Sequence, residues 1–92
     1  MAVLLARYRV RDREAFMQVF DGFDTTRAEL GVTGQRLLGA VSDPAVLVVL
    51  FDLPSAQLAQ AYASDPRRRE ALARAGVEES HDLVLDDVGG GA

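Results

Sequence analysis

The sequence predicts an α+β domain of element order β-α-β-β-α-β, built on a four-stranded antiparallel sheet. Three observations carry that reading. β-prone apolar runs alternate with one-sided helical stretches, two of those runs flank the turn signal Ser42-Asp43-Pro44-Ala45, and each helical stretch opens on an Asp or Ser suited to an N-cap.

Residues 3 to 10, VLLARYRV, read as the first strand and hand over at Arg11-Asp12 to a helix, with Asp12 as N-cap and Glu14 near the positive end of the helix dipole. Phe16, Val19, Phe20, Phe23 and Leu30 recur at i, i+3, i+4, i+7 and i+14, an apolar stripe along one long helix that Gly31 stops as a C′ residue. Gly22 inside it costs roughly 1 kcal/mol relative to Ala, which fits either close backbone approach or tolerance within a long helix. TGQRLLGAV and VLVVLFD are the arms of a hairpin, with Pro44 in the turn and Asp43 reaching the next amides. Asp52-Leu53-Pro54-Ser55 opens a second helix, with Pro54 near N1 or Ser55 as cap and Leu58, Ala61 and Tyr62 inward. Asp65 caps and Pro66 starts a third, short helix that ends at Gly76, with Glu70 and Arg74 paired at i, i+4. Asp82 to Val88 is the last strand. Residues 1–88 thus form a single domain, and 89–92 read as a disordered tail. The order is the split βαβ pattern of ferredoxin-like folds.

Composition narrows the function. Apolar residues make up 49% and charged residues 26%, a globular balance, and the 92-residue length buries only about two thirds of the unfolded chain's surface, so the core is thin. The net charge of −4 repels nucleic acid and anionic membranes. No cysteine is present, which excludes disulfides, thiolate metal sites and cysteine nucleophiles. The apolar run at the N-terminus is too short for a signal peptide and no segment approaches the length of a membrane span, so a cytoplasmic location is expected, with no membrane and no nucleic-acid partner.

YRVRDREAFMQVFD, the GVTGQR start of the second strand, the SDP turn, VVLFDLPSAQLAQAYASDP and REALARAGV together resemble the dimeric α/β-barrel superfamily. The likeness is to small proteins similar to antibiotic biosynthesis monooxygenases and their cyclase-like relatives, and spans about residues 3 to 88. It implies a homodimer in which two four-stranded sheets pack into a barrel, helices outside, with a ligand cavity between sheet and helices of each subunit. The residues agree independently: LVLD and VLVVLF are apolar on both pleat faces, and one chain has too few apolar residues to cover the second face.

In such a fold Tyr8, Phe16, Phe20, Phe23, Phe51 and Tyr62 converge on one space suited to a flat, apolar or aromatic ligand; the bland alternative is that they are simply the core. Period-two alternation puts Tyr8 with Leu4, Ala6 and Val10, facing the helices, and Arg7 with Val3, Leu5 and Arg9. Arg36 in the second strand is a further candidate contact. His81, the sole histidine, is the candidate base for a phenolic or enolic proton, or else a surface loop residue in the acidic run EESHD. Tyr62 is a candidate donor to a substrate carbonyl, and Tyr8 is a further candidate catalytic residue. No cofactor is expected: haem-degrading members of the superfamily use a helix-borne histidine and usually a tryptophan, which this chain lacks, and no GxGxxG, Walker or GxSxG pattern occurs. The cluster Glu78, Glu79, His81, Asp82, Asp86 and Asp87 reads as a solvated acidic face, with no metal. Arg67-Arg68-Arg69 reads as solvated too, and Asp24–Arg27 as surface pairing. The expectation is a cofactor-independent monooxygenase or cyclase acting on an aromatic or polyketide-like substrate. A noncatalytic ligand-binding or accessory dimer, and a structural dimer with a filled core, are the alternatives.

Overall fold

The computed structural model describes residues 1–89. Eight elements follow in chain order: β1 (Ala2–Val10), α1 (Arg13–Gly22), α2 (Asp24–Glu29), β2 (Gly34–Gly39), β3 (Val46–Leu53), α3 (Ala56–Ser64), α4 (Pro66–Arg74) and β4 (Val77–Asp86). The strands form one sheet of order β2-β3-β1-β4, every neighbouring pair antiparallel. This is the expected α+β, ferredoxin-like arrangement. Residues 90–92, most of the expected tail, lie outside the described residues.

Strand alternation decides which face is core. Ala2, Leu4, Ala6, Tyr8 and Val10 of β1 are buried beneath the helices, as expected for the Tyr8 set, and their register partners Leu47, Val49, Phe51 and Leu53 on β3 are buried with them. The intervening residues Val3, Leu5, Arg7 and Arg9 occupy the opposite face, which none of the described elements covers. In the hairpin turn the Asp43 carboxylate accepts the Ala45 amide (3.0 Å), which holds its pKa below the usual value, and meets Arg9 at 3.3 Å. Gly31 and Gly76 take positive φ (+99° and +77°) and end α2 and α4, a conformation that favours glycine.

The structure corrects four expectations. The long first helix is two, kinked at Phe23 (φ −92°, ψ 2°), directly after Gly22 where helix propensity is weakest. The Phe20 carbonyl at this kink accepts the Phe23 amide (3.2 Å) and Nη1 of Arg27 (3.0 Å), so the break leaves no orphaned acceptor there. In α3, capped by Ser55, Ala59 and Tyr62 are buried while Leu58 and Ala61 are exposed, because the buried stripe takes its phase from Tyr62. The last strand begins at Val77, five residues before the expected start: β4 is an edge strand, where polar residues are tolerated, so EESHD pairs with β1 instead of looping. Glu70 and Arg74 form no ion pair among the described residues.

Candidate functional site

All four Phe and both Tyr of the chain line one cavity between the sheet and the helices. The rings make a continuous path: Tyr8–Phe16 5.7 Å, Phe16–Phe20 5.7 Å, Phe20–Phe51 6.4 Å and Phe51–Tyr62 5.2 Å between centroids, the last edge-on. Phe16 and Phe20 of α1 and Phe23 at the kink line the helix side of the cavity over Tyr8 and Phe51 of the central strands, and α3 brings Tyr62 against Phe51. The convergence expected from the sequence is therefore real. The space left is small, about 30 Å³, room for a water molecule or two and well below the ~150 Å³ that holds benzene.

Two arginines complete the wall. Arg68, at the start of α4, is only 4% exposed. Its guanidinium donates to both Asp82 carboxylate oxygens (3.0 and 2.9 Å), to the Ala63 carbonyl (3.0 Å) and to the Tyr8 hydroxyl (2.8 Å). Burial works against the Arg68 charge, but the Asp82 hydrogen bonds and the surrounding groups more than restore it, so its pKa stands above the ordinary arginine value. Arg27 on α2 is 3% exposed, lies 3.8 Å over the Phe20 ring, and reaches Asp24 at 3.3 Å. The Nε atoms of both arginines are buried with no partner among the described residues. With its lone pair taken by Arg68, the Tyr8 hydroxyl keeps its own proton to donate, and no acceptor for it occurs among the described residues.

Burial pushes the Tyr8 phenol pKa up, with the Arg68 charge opposing, and Tyr62 is raised for the same reason. Both therefore stabilise the fold fully below the ordinary value of 10.0, and that contribution is lost as pH climbs from there through the folded values, because unfolded tyrosines ionise first. Native protein at pH 10 should show clearly less tyrosinate absorbance than the unfolded chain at the same pH, where about half of the phenol is ionised; equal absorbance in the two states would mean the rings are wet.

His81 and Arg36 are not part of this site. His81 lies within β4 opposite Arg7, and Arg36 lies on β2 opposite Leu50, itself opposite Leu5. Directly paired residues share a face, so both point away from the helices. The cause for His81 is the early start of β4, which turns an expected loop residue into a strand residue of fixed parity. Arg68, Asp82 and Arg27, read from the sequence as solvated, are what it missed. The signal was present: Arg68 shares the i, i+3, i+4, i+7 stripe with Ala71, Leu72 and Ala75, and Arg27 lies between Phe23 and Leu30 on theirs. Among the described residues no three His, Asp or Glu side chains gather as a metal site, and no helix is long and apolar enough to cross a membrane.

No family model matches the chain, and no curated protein matches it in sequence. Solved structures do match. SnoaB from Streptomyces nogalater, described as a cofactor-independent oxygenase, superposes with a TM-score of 0.76 at 13% identity, covering 97% of this chain and 94% of its own. Rv0793 from Mycobacterium tuberculosis gives 0.70 at 21% identity over 99% and 98% of the two chains. A protein described as an antibiotic biosynthesis monooxygenase gives 0.67 at 17% over 97% and 100%. The chain has the fold of the antibiotic biosynthesis monooxygenases. The resemblance carried by YRVRDREAFMQVFD and the SDP turn is thus borne out for the architecture, and the aromatic cavity lies on the helix-covered side of that monooxygenase fold.

Proposed function

We propose that the protein is a small-molecule enzyme of the cofactor-independent monooxygenase type, acting on an aromatic or polyketide-like substrate in the ring-lined cavity. The observation that carries this reading is the buried Arg68, anchored by Asp82 and joined to the Tyr8 hydroxyl, beside six aromatic rings. Without a cofactor the substrate itself must reduce dioxygen. A methylene next to a carbonyl loses one proton to solvent; the electron pair left behind forms a C–O bond to O₂, and one proton completes a hydroperoxide. Loss of water then leaves a new carbonyl, so that CH₂ + O₂ gives C=O + H₂O. Tyr8 and Tyr62 serve as donors to the enolate oxygen, the Arg68 charge supports them through Tyr8, and the Phe rings flank the substrate and exclude water.

The test is oxygen uptake with an anthrone as substrate in metal-free, flavin-free buffer. Stoichiometric formation of the quinone is expected, with Tyr8→Phe and Tyr62→Phe each lowering kcat by about tenfold or more. No enzyme-dependent uptake would overturn the reading. Among the described residues the cavity lining holds no histidine or carboxylate to act as base, which favours one second reading, a noncatalytic ligand-binding dimer, under which the same compound binds without consuming oxygen.

The sheet face away from the helices carries half-buried Val3, Leu5, Val48 and Leu50 and exposed Leu38, Leu83 and Leu85. This apolar surface, continuous across four strands, fits a second copy of the chain. Light scattering should give twice the 9.9 kDa chain mass, and Leu83→Asp should return the monomer. A strictly monomeric native protein at micromolar concentration would remove the dimer.

A further inference from the structure

The two arginines on the cavity wall are not equivalent. Arg68 is matched in charge by Asp82, which takes two of its hydrogen bonds. Arg27 is 3% exposed, yet its partner Asp24 makes a single 3.3 Å contact and its side chain is 72% exposed, so water screens the compensation. Its Nε–H is buried without an acceptor among the described residues, as is that of Arg68. Buried donors in native proteins nearly always have partners, and an unpaired one on a cavity wall is open to an acceptor supplied by water or by a ligand that displaces it. A guanidinium pairs best with a carboxylate.

We propose that the cavity takes an aromatic carboxylate, its ring among Phe20, Phe23 and Phe51 and its anionic oxygens on the Arg27 side. This deepens the oxygenase reading by adding an acid group to the substrate, and it rests on that reading only for the chemistry. The ring exceeds the space present, so the half-buried Phe20 and Phe23 side chains on the helix side must shift to admit it.

Calorimetric binding of benzoate and of benzamide, isosteres that differ in charge, tests the proposal on the native protein. Benzoate should bind about tenfold or more tightly than benzamide, a preference that weakens with salt. Arg27→Met should abolish the preference by weakening benzoate far more than benzamide, and Arg27→Lys should restore part of it. Equal affinities, tighter benzamide, or no binding of either at millimolar concentration would overturn it; the native comparison decides even if Arg27→Met does not fold. Because the readout is binding, failure here is distinct from an absence of oxygen uptake: benzoate preference without turnover keeps the carboxylate site and removes the oxygenase.

Discussion

Phe51→Ala is expected to cost the fold about 3–5 kcal/mol, the largest single loss among the aromatic positions. Phe51 is 2% exposed and lies on the central strand β3, opposite Leu4 in register. It touches Phe20 from one direction and takes the edge of Tyr62 from another, so its removal strands both neighbours. Strand backbones on both sides are held by full ladders and cannot collapse into the hole. The vacated ring should therefore add to the existing 30 Å³ and move the cavity toward the ~150 Å³ that accepts benzene. Urea unfolding measures the loss, and added benzene should recover part of it in the variant and none in the native protein. A loss below about 1.5 kcal/mol with no benzene effect would mean that the cluster repacks freely.

Asp82→Ala is the second large effect, expected at about 3 kcal/mol. It leaves the Arg68 charge in the interior with only the Ala63 carbonyl and the Tyr8 hydroxyl as partners. Removing one member of a buried pair costs about 3–5 kcal/mol; the Asp82 side chain is 29% exposed, which places this pair at the lower end. Asp82→Asn keeps one acceptor and should lose about half as much. Denaturant midpoints at neutral pH check the order Ala > Asn > native. A loss under about 1 kcal/mol for the alanine variant would mean that solvent already screens the pair.

The fold was legible because its signals are local. Asp12, Ser55 and Asp65 cap helices through their own side chains, and Pro66 starts α4, as the residue types require. Gly31 and Gly76 stop helices where left-handed backbone is needed. The aromatic half of the site was legible for a related reason: stripe and alternation assign Phe16, Phe20, Tyr8 and Phe51 to facing surfaces before any contact is known. Its charged half was not. Arg68 meets Tyr8 across 60 residues and Asp82 across 14, and residue type alone assigns an arginine at a helix start to water. Only its place on an apolar stripe argued otherwise. The His81 expectation failed at a boundary, since moving the start of β4 from Asp82 to Val77 placed it inside the strand.

Asp82 belongs to the outermost strand on its side of the sheet, laddered along one margin only, to β1. Margins of this kind are the first part of a sheet to come loose, well short of global melting. Each such excursion carries off the counter-ion that holds Arg68 against Tyr8. The protein's electrostatic anchor is thus no sturdier than a strand fastened along one side, and anything that clamps this border from outside would tighten the interior without touching it.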